Sequence, residues 1–346
     1  MLLAAVAGAC AAPPPDLVEI EGPTMGTRYA VKFVQPEGFP LDRTDLQRRI
    51  EDRLRAINAS MSTYLPDSEI SRLNDFPAGE PYTVSEELMT VLSLSEDLFE
   101  TTGGSFDPTV GPVVDLWGFG PKTIQRRPDE AAVQTALGQV GWGEHVRLDR
   151  AASTVLKTSA DVRIDLSAVA KGYAVDELLE LLGNVGVENA LVEVGGELRA
   201  VGSRDPGNSG AWRVGIESPR GPANGQRAHR ILPLPDRAIA TSGDYRNFYE
   251  VDGVRYSHTI DPQTGRPVTH RGASVTVVAS DCASADALAT ALLVMGPDDG
   301  FGWAEANGIS ALFLSYSDAT ATDPEPLTER RTSSMNAYLV DHSPTS

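Results

Sequence analysis

Cysteine is nearly absent: the chain of 346 residues holds two, Cys10 and Cys282. That excludes a disulfide framework and a multi-cysteine zinc site, and leaves Cys282, just ahead of a helical pattern, as a small core residue. Basic residues are outnumbered, 29 Lys and Arg against 48 Asp and Glu, for a formal charge of -19. Nucleic acid and anionic membrane surfaces need a basic patch and are disfavoured as partners. No internal apolar run approaches the roughly 20 residues that span a bilayer. Also missing are the GxSxG elbow, HExxH, a P-loop ending in GK[ST], and a GxGxxG placed between strand and helix. "GFGPKT" is broken as a dinucleotide turn by Pro121.

What is present begins with "MLLAAVAGACAAPPPD", a short apolar run ending in small residues and Cys10, then a Pro-rich tether. It resembles the end of a bacterial lipoprotein signal, in which such a Cys is lipidated. Residues 1–16 are therefore expected to be a signal-like segment and tether, and the protein to be exported, periplasmic and anchored to the inner membrane through Cys10. The competing reading is a frayed apolar terminus. One domain is expected over 17–318, large enough to bury a substantial core. A polar extension follows over 319–346, with a possible edge strand in "SSMNAYLV".

In "TRYAVKFV", Tyr29, Val31 and Phe33 alternate on one face, which signals a strand. Leu46, Ile50, Leu54, Ile57 and Met61 recur at helical spacing within 42–62. "MSTYLPDSEISRLN" reads as a loop, and 85–100 as a helix opened by Ser85. The stretch "TTGGSFDPTVGPVVDLWGFGP" is too rich in Gly and Pro to be regular, yet its apolar residues must pack against something. A short helix is expected over 128–140, a strand from about 154, a helix in "AVAKGYAVDELLELLG", and strands in "ALVEVGGELRAVG", "WRVGIES" and "GASVTVVAS". Asp252 and Gly253 mark a hairpin turn. Strands and helices alternate without a βαβ repeat, so the fold class is α+β, with mixed or antiparallel sheets and flanking helices.

Three places carry chemistry. In "SADALATALLVMG", Asp286 and Thr290 lie one above the other on a helix face. They supply either two hard oxygen ligands for Mg²⁺ or nothing functional: with Ser284 as cap, Asp286 sits in the first turn and Thr290 bonds a carbonyl one turn back. In "DLSAVAKGYAVDE", Asp165 ends a strand and Lys171, six residues on, lies less than two turns into the following helix, which suits a phosphate; the alternative is a capping Asp and a solvated Lys. Gly172 costs this helix about 1 kcal/mol relative to Ala and signals close packing. His258 stands at a strand end before a Pro and Gly turn, facing either a cleft or solvent.

These stretches, together with "MGTRY", "MSTY", "GGSFDPTVGPVVDLWGFGP", "VEVGGE", "TSGDYR" and "SHTIDPQTGRP", resemble the ApbE family, the FAD:protein FMN transferases, in register from about residue 22 to 316. The resemblance implies an ApbE-like, T-fold-like architecture. It implies Mg²⁺-dependent transfer of the FMN half of FAD to a Thr or Ser hydroxyl of an acceptor flavoprotein through a phosphoester, with AMP leaving. Acceptors would be subunits of ion-pumping quinone reductases or related electron-transport complexes.

By motif, Met25 and Tyr64 would contact the flavin, while Ser105, Phe106, Asp107, Asp165, Lys171 and Ile260 line the FAD site. The Ala168 carbonyl with Asp286 and Thr290 would hold Mg²⁺. His258 would act at the acceptor hydroxyl, so that His258 and Asp286 form the catalytic pair. Some members carry Asp where this chain has Ala289, so its metal rests on fewer charges. The alternatives are a Mg²⁺-dependent FAD pyrophosphatase giving FMN and AMP, and a flavin-binding lipoprotein without turnover.

Overall fold

The alternation in "TRYAVKFV" is realised as expected: Tyr29, Val31 and Phe33 are buried, while Arg28 is exposed and Ala30, Lys32 and Val34 are half-buried. This strand belongs to an eight-stranded sheet in a computed structural model that describes residues 16–121, 127–206, 210–220, 228–245, 247–318 and 326–339. Cys10 and the expected lipidation signal lie outside the described residues. In chain order the sheet strands are β1 (Leu17–Thr24), β2 (Thr27–Val34), β3 (Ala190–Val194), β4 (Glu197–Val201), β5 (Ala238–Gly243), β6 (Gly272–Ala279), β7 (Ser310–Tyr316) and β8 (Leu327–Arg331). They also lie side by side in that order, and every neighbouring pair is antiparallel. The α+β class with antiparallel sheets is thus as the sequence implied.

Both sheet faces are covered. One packs Val31, Val192, Ala240, Val275, Val277 and Phe313 against helices. The other packs Ile239, Val278, Leu312 and Leu314 under an antiparallel ribbon of Gly210–Glu217 and Ala228–Leu234. Strand β6 lies between these layers with seven of its eight residues buried, so "GASVTVVA" carries no polar alternation.

The four longest helices among the described residues are α1 (Arg43–Met61), α2 (Glu86–Thr101), α3 (Ala170–Asn184) and α4 (Cys282–Met295). The apolar stripe of α1 is buried as expected, and Ser85 caps α2 by accepting from the Leu88 amide.

Four local expectations are corrected. Asp165 does not end a strand: the preceding strand stops at Lys157, and the Ile164 backbone is held by the Asn74 side chain in place of a neighbouring strand. "MSTYLPDSEISRLN" contains a short helix, Glu69–Asp75, capped by Ser68. The cap of α4 is Asp281, which accepts from the Ser284 amide; Ser284 itself lies inside the helix. The C-terminal edge strand is β8, "LTERR", while Ser334–Tyr338 is a 3-10 turn that buries Met335. Edge strands tolerate charge because one rim faces water, so β8 has no apolar period to reveal it. Through β8 and Met335, residues 326–339 are continuous with the main sheet and its second core.

Candidate functional site

The site is built where α3 meets α4. Gly172 makes the approach possible: a Cβ there would stand 2.2 Å from the Cys282 carbonyl oxygen. One turn on, both oxygens of Asp176 accept from the Cys282 amide, and Oδ2 also accepts from the Ala283 amide, while Arg199 Nη1 lies 2.6 Å from Oδ1. Free amides at a helix start favour such a carboxylate. Asp176 and Asp281 together cap α4, which leaves Asp286 in the body of the helix and not in its first turn. The dipole account of Asp286 therefore fails.

Asp286 is 3% exposed. Its Oδ2 accepts from the Gly172 amide at 3.1 Å, and Lys171 Nζ stands 3.3 and 3.2 Å from its two oxygens. Lys171 is accordingly no solvated lysine. Its ammonium is shared with Glu197 Oε1 at 3.4 Å, and Glu197 is 4% exposed. Glu197 follows the Gly195–Gly196 turn between β3 and β4; Gly195 has φ +67° and sits where a Cβ would press on the Lys171 stem at 3.2 Å. Thr290 shares a 3.0 Å hydrogen bond with Ser242 on β5, which replaces the expected bond to its own helix carbonyl.

Charge here is tightly constrained. Burial alone would lower the Lys171 pKa, but the carboxylates of Asp286 and Glu197 reverse this and hold it above its ordinary value. Burial raises Asp286, with Lys171 pulling back. Burial also pushes Glu197 up to about 8, opposed by Lys171 and reinforced by Asp286. Two buried carboxyls facing one ammonium resist holding two negative charges, a balance that a cation would change.

A cavity of about 750 Å³ opens over this group. It is lined by Asp286, Thr290, Lys171 and Ala168, by Ser105, Phe106, Asp107 and Asp165, and by Tyr64, His258 and Ile260. Eleven of the twelve residues singled out in the sequence thus meet in one place. The twelfth, Met25, does not line the cavity: with φ +47° it sits in the β1–β2 turn beside Gly26 and packs on the core.

Two acidic members support the walls. Asp107 accepts from the Thr109 amide and hydroxyl and from the Trp142 amide, which ties down the Gly-rich loop. Asp165 is not the cap of α3; it accepts from the Ser167 amide and hydroxyl, while its own amide donates to the Pro108 carbonyl. The apolar residues of that loop are packed as expected, Val113 and Trp117 with Val133 and Ile260. Phe106 is 4% exposed, whereas Tyr64 is 61% exposed at the mouth and donates from its hydroxyl to the Phe119 carbonyl.

His258 follows the strand Val254–Ser257 of the Asp252–Gly253 hairpin and is half-buried in the cavity wall. Both its amide and Nδ1 meet the Asn247 carbonyl, at 3.1 and 3.0 Å. A carbonyl only accepts, so Nδ1 carries the proton and Nε2 keeps its lone pair. Burial lowers the His258 pKa, the Asn247 bond opposes this, and the Lys171 charge adds to it. The imidazole is a neutral base at neutral pH.

Among the described residues no group of three or more His, Cys, Asp or Glu side chains is placed to hold a metal. The candidate ligands are a mixed hard-oxygen set of one carboxylate, one hydroxyl and one carbonyl. Mg²⁺ suits such a set because it keeps several waters and takes substrate phosphate. The surplus of buried carboxyl over ammonium, with Glu197 Oε2 left without a partner, fits a cation at this wall. Glu197 and Ser242 were not picked out from the sequence. Glu197 lay inside the quoted "VEVGGE", but a Glu opening a strand has no spacing that sets it apart.

The chain is similar over most of its length to known proteins. The model of the ApbE family matches residues 25–313. A Vibrio cholerae protein named FAD:protein FMN transferase is 43% identical over 308 residues, spanning 88% of this chain and 89% of its own length. A Haemophilus influenzae protein of the same name is 37% identical over 307 residues, 87% of each chain. Among solved structures, the flavin transferase ApbE from Vibrio cholerae superposes with a TM-score of 0.84 at 40% identity, covering 94% of this chain and all 100% of that one. The apo Pseudomonas stutzeri flavinyl transferase ApbE gives 0.83 at 35% identity, covering 93% and 96%.

Proposed function

This chain belongs to the ApbE family and moves FMN from FAD to a protein, and from that premise we propose a Mg²⁺-dependent route to a Thr or Ser hydroxyl with AMP as the leaving group. The observation that carries the reading is the group of half-buried Lys171 with buried Asp286 and Glu197 lining a cavity that His258 also lines.

Asp286, Thr290 and the Ala168 carbonyl would hold Mg²⁺. When bound, it supplies positive charge to the pyrophosphate oxygens as a Lewis acid. Lys171, on the same wall, adds a fixed ammonium, so the phosphates of FAD are held by position and electrostatics. His258 Nε2 takes the proton of the acceptor hydroxyl. The hydroxyl oxygen then bonds to the FMN phosphorus, and the bond from that phosphorus to the oxygen of AMP breaks, leaving AMP with the electron pair. Phe106 and Tyr64 offer aromatic faces for the flavin.

The acceptor we propose is a flavoprotein subunit of an ion-pumping quinone reductase or a related electron-transport complex, reached outside the cytoplasm by an enzyme anchored through Cys10. The test is incubation of the full chain with FAD, Mg²⁺ and an acceptor domain. Flavin fluorescence on the acceptor should survive denaturing electrophoresis and AMP should appear in equal amount. Free FMN and AMP with an unlabelled acceptor would overturn transfer in favour of pyrophosphate hydrolysis.

A further inference from the structure

Glu197 has no part in the route above, yet it is a second buried carboxylate beside Lys171. Its Oε1 faces Lys171 Nζ at 3.4 Å, its Oε2 is buried without a partner, and the side chain lines the cavity. An orphaned buried carboxylate oxygen is costly, so its retention needs a reason.

Lys171 is meanwhile bound to both oxygens of Asp286, the carboxylate that the proposed cation needs. Cation and ammonium compete for Asp286. When the cation enters, the ammonium loses that partner in a site where an unpaired charge is expensive. Its stem passes close to Gly195, where an added Cβ would stand 3.2 Å away, and Glu197 lies within reach of the same ammonium.

We propose that Glu197 is the alternate counter-ion of Lys171, which keeps the ammonium on the cavity wall when a divalent cation takes the Asp286 carboxylate. Glu197 is thereby a positioning residue: it acts through Lys171 and is not itself a ligand. It lowers the cost of cation entry, because the ammonium keeps one of the two carboxylates it already faces. It also holds the positive charge of Lys171 toward the phosphates once Asp286 has turned to the cation.

The inference rests on the reading of Asp286 as the cation's carboxylate, and the experiment separates the two. Mn²⁺ binding to the full chain without FAD is titrated by electron paramagnetic resonance, which reads free Mn²⁺, in the parent, Glu197→Gln, Lys171→Met and the double variant, with Asp286→Asn as control. Lys171→Met should bind Mn²⁺ more tightly than the parent, since the competitor is gone. Glu197→Gln should bind about tenfold more weakly, which is about 1.4 kcal/mol. In the Lys171→Met background that loss should shrink several-fold, the signature of an effect passed through Lys171.

An equal loss in both backgrounds would make Glu197 a direct ligand and overturn the proposal; so would no loss in either. If Asp286→Asn binds Mn²⁺ like the parent, the cation site itself is misplaced and the inference falls with it. Should Glu197→Gln not fold, Glu197→Asp in the two backgrounds carries the same comparison, with a smaller loss.

Discussion

Gly172 lies against the backbone of Cys282 so closely that an added Cβ would come within 2.2 Å of its carbonyl oxygen. This contact sets Lys171, on one side of Gly172 in the chain, beside Asp286 on α4. Gly172→Ala gains about 1 kcal/mol in helix propensity. Against that stands overpacking on a backbone atom, which cannot rotate aside as a side chain does, at about 3 kcal/mol. The clash wins, so the variant should be less stable by about 2 kcal/mol and should transfer flavin poorly. Thermal unfolding and acceptor labelling check this; an unchanged melting temperature would show that the helices are free to move apart.

Asp286→Ala removes the buried carboxylate and leaves Lys171 with Glu197 alone. Transfer should fall at least about 10²-fold, the scale for losing one electrostatic group at a reacting phosphate. The remaining rate should no longer respond to Mg²⁺ concentration. Retained, Mg²⁺-dependent labelling of the acceptor would show that the cation sits elsewhere.

The transfer rate should lose its dependence on a group titrating below the ordinary histidine value of 6.5 when His258 is replaced. Burial lowers His258, so in the parent the base is neutral above that range and is lost as pH falls through it. The parent profile should therefore show an acid limb below about pH 6.5 that His258→Asn removes, along with about 10²-fold or more of the rate. An acid limb that survives in the variant would assign it to another group.

Tyr64 and Phe106 should separate binding from stability. Phe106 is 4% exposed and Tyr64 61% exposed. Phe106→Ala should cost about 3–5 kcal/mol of stability as a core truncation. Tyr64→Ala should leave stability within about 0.5 kcal/mol and weaken FAD binding by about tenfold or less, the worth of one stacking contact. Unfolding curves and flavin fluorescence titrations distinguish the two. Undiminished FAD affinity in Tyr64→Ala would remove Tyr64 from the flavin site.

On the sheet edge, Glu329 of β8 accepts from His229 at 2.7 Å and from Arg230 at 3.0 Å, and these hold its pKa down to about 2. The folded value lies below the unfolded one, so this stability is fully present above about pH 4.5 and is lost as pH falls toward 2. Glu329→Gln should lower stability at neutral pH by about 1–3 kcal/mol and flatten the acid decline between those values. An equally steep decline in the variant would place the acid-sensitive group elsewhere.

The parts of the fold that were legible in the sequence have one side to water. The alternation of β2 and the stripe of α1 are examples, because partial burial writes a period into the residues. Strand β6 and helix α4 are enclosed on most sides and carry no such period, so Asp281 escaped notice as the cap of α4. The charged strand β8 escaped for the opposite reason, having too little apolar content to show a face.

For the site, the sequence by itself determined the residue types and their local order. Asp286 and Thr290 share a helix face, Lys171 lies near the start of a helix after Asp165, and His258 stands at a strand end; short-range geometry requires this. Taken alone, those facts left a functional and an inert account of each. Tertiary structure decided between them, because the deciding contacts join residues far apart in the chain. Lys171 reaches Asp286 across 115 positions. Thr290 meets Ser242 across 48. Glu197 entered the site only through its contact with Lys171. A carboxylate becomes a cation site or a harmless cap according to which charges surround it and how little water does, and neither is a property of its neighbours in sequence.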